Sequence, residues 1–347
     1  AIMAPTEGLA MQDLKSLHEL FSTQEISELK PTLLTGSDKS REKAIKLLSI
    51  SSGEAKIVIG THALFQKKVH FNNLRLAVID EQHKFGVMQR FRLEKKGDVN
   101  SIIMSATPIP RSLALTVFGD RDLTIIKEKP KNRPEIETLI ISIKKIKQLL
   151  FKLGTQMSKG QQVYWVCPLI EEAENLHLSN SNDRFKYLKR EFKEFKVGLI
   201  HGQMSSEEKE LELKRYNNRE INILVSTTVI EVGIDNPNAT VIVIENANRF
   251  GLSQLHQLRG RVGRGKEKSY CFLTYDGNLS DQAIQRLKIM RGSQDGFEIA
   301  EKDMALRGAG DLLGTMQSGH KIFKLSEVAE ETELFLEAYK MVQDLKV

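Results

Sequence analysis

Several broad classes are closed off by what this chain has little of. Its 347 residues include two cysteines, Cys167 and Cys271. Neither has a histidine or a second cysteine at ligand spacing, so a disulfide framework and a cysteine-based metal centre are excluded and core packing is the expected role. No apolar run approaches the ~20 residues that a bilayer-crossing helix needs; stretches such as Val241 to Ile244 are typical. The first ten residues hold Pro5 and Glu7, with no basic start and no apolar segment. No export signal is therefore expected, and a cytoplasmic location without a membrane is the default expectation. Charge of one sign is also scarce: 51 basic residues face 45 acidic ones, a net +6. Residues 1–135 carry 21 basic and 16 acidic side chains, and the remainder 30 and 29. So mild a bias does not by itself identify a nucleic-acid partner. A phosphate-cradling G-x-x-x-x-G-K-[ST] loop is missing too. The nearest match, Gly260 to Lys266, is followed by Glu267 instead of a hydroxyl. It also follows an arginine-rich stretch rather than a strand, and is rejected.

Short apolar runs alternate with amphipathic helical stretches, the pattern of doubly wound α/β domains with parallel sheets. In the first part, strands are expected at Ala1 to Ala4, Ile57 to Ile59, Leu76 to Ile79, Ile102 to Met104 and Leu123 to Ile126, with helices at Leu9 to Leu20 and Arg41 to Leu48. The segment Glu128 to Pro134 has two prolines and no large apolar side chain, and reads as a linker. A second series comes next, with a helix near Lys144 to Ser158 and strands at Val163 to Cys167, Val197 to Ile200, Ile223 to Ser226, Val241 to Ile244 and Tyr270 to Leu273. Beyond Asp276 the chain reads as helical, broken by glycines from Gly308 to Gly314. Three regions are expected: 1–130, 131–276 and 277–347.

Ligands of open α/β sheets bind at the carboxyl ends of strands. Asp80 and Glu81 directly follow Leu76 to Ile79. One carboxylate there can hold Mg²⁺ and the next can orient water toward a γ-phosphate. Taken alone, such a pair is more often an ordinary loop. Ser105 and Thr107 follow the next strand, and Gly233 and Asp235 follow the strand ending at Ser226. Gln257, Gly260, Arg261, Gly263 and Arg264 then offer a glutamine and guanidiniums suited to phosphate. The glycines are expected to allow close approach of a ligand to the backbone. A second set places hydroxyls or amides near strand ends: Pro5, Thr6 and Glu7; Gly36 and Ser37; Thr61; and Thr227 and Thr228. Such groups hold phosphate oxygens without reading sequence, although each alone is more often a cap or turn.

This ordered set resembles the superfamily 2 helicases and translocases. Met3 to Gln12 looks like their motif Ia, Asp80-Glu81-Gln82-His83 like motif II, and Ser105-Ala106-Thr107 like motif III. Val225 to Asp235 looks like motif V and Gln257 to Arg264 like motif VI. Within the superfamily, Gly60 to Gln66, Met104 to Leu115, Val166 to Glu172 and Glu245 to Gly265 look most like the bacterial branched-DNA helicases. Asp295 to Gly319 resembles their TRG element, which couples the motor to duplex DNA. The transcription-repair coupling factor shares the arginine motif and that element, but Gln82-His83 and Val166 to Glu172 favour the branched-DNA helicases.

The resemblance implies two RecA-like domains, the first incomplete through truncation at the N-terminus, and a C-terminal helical TRG segment. It implies ATP and Mg²⁺, with Asp80 holding the metal, Glu81 activating water, and Gln257, Arg261 and Arg264 serving the γ-phosphate. Gly233 and Asp235 would lie at the nucleotide. His83, Ser105, Thr107, Arg307 and Gln317 would couple hydrolysis to movement, and Pro5 to Glu7, Gly36, Ser37, Thr61, Thr227 and Thr228 would contact DNA. The implied partners are branched double-stranded DNA such as forks and Holliday junctions, with single-stranded-DNA-binding protein as a further candidate; a monomer is expected. Met316 and Ala309 depart from the arginine and proline expected in the TRG element. Lacking the phosphate loop, these residues alone are expected to be inactive, and a non-catalytic binding module is the rival reading.

Overall fold

The computed structural model describes residues 1–22, 29–81, 85, 99–106, 122, 124–126, 128, 134–168, 174–227, 236–307, 337 and 341. The chain divides into two compact units, the first formed by Ala1–Ala106 and the second by most of the remaining residues.

The first unit is a parallel sheet of β1 (Ile2–Met3), β2 (Thr32–Leu34), β3 (Val58–Gly60), β4 (Leu76–Ile79) and β5 (Asn100–Ile103), in the order β2-β3-β1-β4-β5. Helix α1 (Glu7–Ser22) joins β1 to β2, and α2 (Ser40–Ser52) joins β2 to β3. The placement of β1 between β3 and β4 puts the chain reversal, and hence the ligand-binding edge, beside the end of β4. Met3, Leu34, Val58, Ala77 and Ile79 pack into one cluster with Leu64 and Phe65.

The second unit is a six-stranded parallel sheet: β6 (Ile136–Ser142), β7 (Gln162–Val166), β8 (Val197–Ile200), β9 (Ile223–Ser226), β10 (Ala239–Ile244) and β11 (Ser269–Tyr275), in the order β6-β11-β10-β7-β9-β8. Every residue of β7, β9 and β10 is buried, which is why these strands read as unbroken apolar runs. Alternate side chains serve opposite faces. Val163, Trp165, Val225, Val241 and Val243 pack with Leu149 and Leu153 of α3 (Ile146–Ser158), Leu188 of α4 (Glu174–Glu191) and Phe192 just after it. Tyr164, Val166, Leu224, Ile242 and Ile244 pack on the other side. That side takes residues from α6 (Leu252–Arg259), α7 (Asp281–Gly292) and α8 (Gly296–Arg307). Helix α5 (Ser206–Asn217) begins with a reciprocal cap: Ser205 Oγ accepts from Glu208 N at 3.2 Å, and Ser205 N donates to Glu208 Oε2 at 2.8 Å.

The strands differ from expectation in two respects. Of the strand expected at 123–126, Thr124, Ile125 and Ile126 carry no strand and Ile126 is 84 % exposed, while Leu123 lies outside the described residues. Two strands, β2 and β6, were not anticipated. In β2 the apolar run is only two residues long, and β6 is an outer strand paired with β11 alone and only half-buried. Leu287, Met290 and Ile299, beyond residue 276, lie in the same core cluster as Ile242 and Leu255, so α7 and α8 pack onto the second sheet.

Both thiols sit inside the second core. Burial pushes Cys271 up to about 12, and burial together with the neighbouring Glu245 carboxylate raises Cys167 further. Neither is therefore expected to react with iodoacetamide at pH 8 in the native protein, whereas both react once it is unfolded in guanidinium. Rapid native labelling of either, read by mass spectrometry, would contradict the core placement.

Candidate functional site

In the first unit the site is built at the end of β4. Asp80 N donates to Met3 O at 2.9 Å, continuing the β1–β4 ladder one residue beyond the strand. The chain then turns sharply: Glu81 has φ 49, a left-handed conformation uncommon for a residue with a side chain. The turn lets Glu81 N donate back to Asp80 Oδ1 at 2.9 Å. It also sends the Glu81 carboxylate toward the end of β5, where Oε2 accepts from Ala106 N at 3.3 Å. The acidic pair is thereby tied to the Ser105-Ala106 turn. Strain of this kind, kept at a strand end beside charged groups, is a feature of functional sites. Asp13 of α1 adds a third carboxyl to the neighbourhood. Burial, and secondarily the charge of Asp80, hold its pKa above the usual carboxylate range. Nothing in the sequence pattern singled out Asp13, which reaches the site only because α1 packs beside β1.

The donor chemistry suits Mg²⁺. No cluster of three or more His, Cys, Asp or Glu able to cage a metal occurs among the described residues. Mg²⁺ instead favours one or two carboxylates supplemented by water and phosphate oxygens. Asp80 would be the protein's contribution. His83, Thr107 and Gln317 lie outside the described residues.

The groups expected to meet DNA separate into different roles. Thr6 Oγ1 accepts from Leu9 N at 3.3 Å, capping α1. Glu7 holds the β2–α2 loop: Oε1 accepts from Gly36 N at 3.0 Å and Ser37 N at 3.2 Å, and Oε2 from Ser37 Oγ at 2.7 Å. The amides of Gly36 and Ser37, expected to face phosphate, thus bind an internal carboxylate. Thr61 and Thr227 are 2 % and 3 % exposed. Both residues are thus enclosed in this structure. Pro5 is half-buried at the end of β1. Thr228, Gly233 and Asp235 lie outside the described residues.

In the second unit the arginine motif straddles the end of α6. Leu252, Leu255 and Leu258 are buried on one stripe of that helix. Arg259, four residues after Leu255 and seven after Leu252, shares the stripe and is 3 % exposed. Its Nη1 donates to Met290 O at 2.7 Å and Ser293 O at 2.8 Å, carbonyls at the last turn of α7. Its Nη2 lies 3.2 Å from His256 Nδ1. Gln257, Arg261 and Arg264 are half-buried instead, and Arg264 Nε donates to Gly260 O at 3.3 Å. The three arginines are therefore not one set: Arg259 is buried while Arg261 and Arg264 are half-buried.

Gly263 has a chain-packing role rather than the ligand-approach role expected for it. Its φ is 74, and a Cβ there would meet Ile136 Cγ1 at 2.9 Å. Gly263→Ala is expected to destabilise the second unit by roughly 1–3 kcal/mol through the left-handed backbone and the clash with β6. An unchanged denaturation midpoint would show that the loop yields freely.

Beside these residues, Glu245 closes a cluster not anticipated from sequence. Its carboxylate accepts from Trp165 Nε1 and Arg184 Nε, each at 2.8 Å, and from Arg184 Nη2. The guanidinium lies over the Trp165 and Tyr187 rings. The cluster borders a cavity of about 320 Å³ at the carboxyl ends of β7 and β10, the second sheet's point of chain reversal.

Residues 1–116 match the family described as DEAD/DEAH box helicase, 142–266 the helicase conserved C-terminal domain, and 293–346 the C-terminal part of domain 3 of the ATP-dependent DNA helicase RecG. The ATP-dependent DNA helicase RecG of Synechocystis sp. is 47 % identical over 349 residues, covering 100 % of this chain and 42 % of that protein. Those of Thermotoga maritima and Escherichia coli K12 are 44 % and 41 % identical, and the chain spans 44 % and 50 % of them. The chain thus spans about half or less of the length of these relatives. A solved structure of RecG bound to a three-way DNA junction is 40 % identical, with a TM-score of 0.74 over 96 % of this chain and 43 % of that one. Yeast Dbp5 bound to RNA and ADP BeF3, at 16 % identity and a TM-score of 0.62, shares the fold.

Proposed function

Since the chain belongs to the RecG family of ATP-dependent DNA helicases and has its two RecA-like sheets, we propose that it forms the motor portion of an enzyme that hydrolyses ATP to translocate on and remodel branched DNA. The observation that carries this reading is the Glu81 carboxylate, set by a left-handed turn at the end of β4 and bonded to Ala106 N. A carboxylate so placed can orient water and, through Ala106, report on the state of the phosphate to the next strand. Asp80 would hold Mg²⁺, which would supply neutralisation of phosphate charge when bound. Gln257, Arg261 and Arg264 supply groups suited to a γ-phosphate, and Gly233 and Asp235 are assigned to nucleotide contact. Ser105, Thr107 and His83 transmit the hydrolytic state, while Arg307 and Gln317 pass it to duplex DNA.

Duplex opening costs roughly 1.4 kcal/mol per base-pair step, so remodelling over many steps needs a fuel cycle. Alternation of grip with nucleotide state supplies direction. In this reading the enzyme works as a monomer in the cytoplasm on forks and Holliday junctions, with single-stranded-DNA-binding protein as a partner. The domains are 1–130, 131–276 and a TRG-bearing region beyond, the division being one of motifs rather than of packing.

The sequence has no phosphate loop of the G-x-x-x-x-G-K-[ST] form, so turnover requires that element from elsewhere. The expected result is no ATP hydrolysis by the 347 residues alone. A chain extended to include a phosphate loop should hydrolyse ATP, with stronger stimulation by three-way junctions than by linear duplex. Equal stimulation by both DNAs would remove the branched-substrate assignment, and hydrolysis by the unextended chain would remove the need for the loop.

A further inference from the structure

The modest net charge conceals a strong segregation. Between Ile143 and Gln161 the chain has Lys144, Lys145, Lys147, Lys152 and Lys159 and no acid. Between Lys186 and Lys196 it has Lys186, Lys189, Arg190, Lys193 and Lys196 against Glu191 and Glu194. Together the two stretches carry ten basic and two acidic side chains, a net +8. Residues 136–347 as a whole have 30 basic and 29 acidic residues, so everything else in that part is net −7.

Both stretches belong to one layer. Leu149, Leu150, Leu153 and Met157 of α3, Leu188 of α4 and Phe192 just after it share one core cluster against the same face of the second sheet. The arginine motif and the helices that hold it lie on the opposite face. Within the second unit the basic layer is therefore on the other side of the sheet from the arginine motif.

One side chain in it is out of place for a merely solvated surface. Phe151, at the middle of α3 and directly before Lys152, is 78 % exposed. Lysines without acids favour a polyanion. An exposed ring among them adds what a base needs, a flat apolar surface to stack on. Tyr187 on α4 is a further ring in the layer, with Arg190 lying over it at 5.5 Å. Duplex DNA hides its bases, and an acidic polypeptide has no planar ring at each residue, so the pairing of lysines with Phe151 selects between polyanions.

We propose that the outer face of α3 and α4 is an accessory surface for single-stranded nucleic acid, with Phe151 stacking on a base and Lys147 and Lys152 neutralising adjacent phosphates. The site takes any sequence, because nothing in it reads base edges. It is independent of the motif residues and of ATP.

The test is fluorescence anisotropy with a labelled oligothymidylate and the 347-residue chain, across a salt series, with far-UV circular dichroism and Trp165 emission confirming the fold. Phe151→Ala is expected to weaken binding at least about fivefold. Lys147→Gln with Lys152→Gln should weaken it at low salt and reduce the slope of log K against log salt by about 1.4. A labelled duplex of equal length should be insensitive to Phe151→Ala. The proposal fails if both variants bind the oligonucleotide like the parent, or if Phe151→Ala affects duplex and single strand alike. It also fails if polyglutamate displaces the strand equally well from parent and Phe151→Ala, which would assign the face to an acidic protein. Glu81 and Arg264 are untouched in these variants, so failure here leaves the ATPase reading standing.

Discussion

Replacing Glu81 by glutamine, in a chain extended to carry a phosphate loop, is expected to lower ATP turnover by ~10²–10⁴-fold while nucleotide binding persists. Glutamine keeps the length of the side chain and an oxygen able to accept from Ala106 N, the bond made at 3.3 Å in the parent. The left-handed turn at φ 49 is a backbone property and is retained. What disappears is the negative charge and the capacity to take or orient a proton of water. Steady-state hydrolysis and equilibrium binding of a fluorescent nucleotide, measured on the same sample, separate the two effects. Turnover at the parental rate would take the catalytic role away from Glu81. Asp80→Asn serves as the contrast: loss of the Mg²⁺ contact should weaken nucleotide binding itself.

Replacing Arg259 by alanine is expected to destabilise the second unit by about 3–5 kcal/mol, a large share of a domain's stability. Its guanidinium closes the last turn of α7, where carbonyls have no intrahelical partner. The positive charge at that helix end is favourable in itself. Alanine would leave Met290 O and Ser293 O without the donors they have at 2.7 and 2.8 Å. It would also open a cavity beside Leu255 and Leu258. Burial pulls the guanidinium's pKa below its ordinary value, yet an arginine starts so high that it stays charged. Arg259→Lys should recover part of the loss, since the charge returns without the planar fork. Arg264→Ala, by contrast, should leave stability almost unchanged while lowering turnover by ~10³–10⁵-fold, as for an arginine acting on a transferred phosphoryl group. Urea denaturation monitored by the emission of the lone tryptophan, Trp165, ranks the three variants. If Arg259→Ala unfolds at the parental midpoint, the helix-closing role is wrong.

The sequence by itself determined the fold class, because strands buried on both faces must be apolar throughout and only a parallel sheet sandwiched by helices makes such strands. Val163, Ile223 and Val241 declared themselves that way. It also singled out Asp80-Glu81 and the Gln257 to Arg264 stretch as candidates for phosphate chemistry, from charge and spacing along the chain. The edge strand β6 and the short β2 escaped, because half-exposed or very brief strands lose the apolar signature. Only the tertiary structure divided the three arginines into a structural one and two others, turned Glu7 inward onto Gly36 and Ser37, and buried Thr61 and Thr227. Each of those outcomes depends on partners distant in the chain, or on burial that no local pattern encodes. Arg259 and Arg264 are the same kind of side chain a few residues apart, and the difference between them is that one meets the open end of α7 and the other does not.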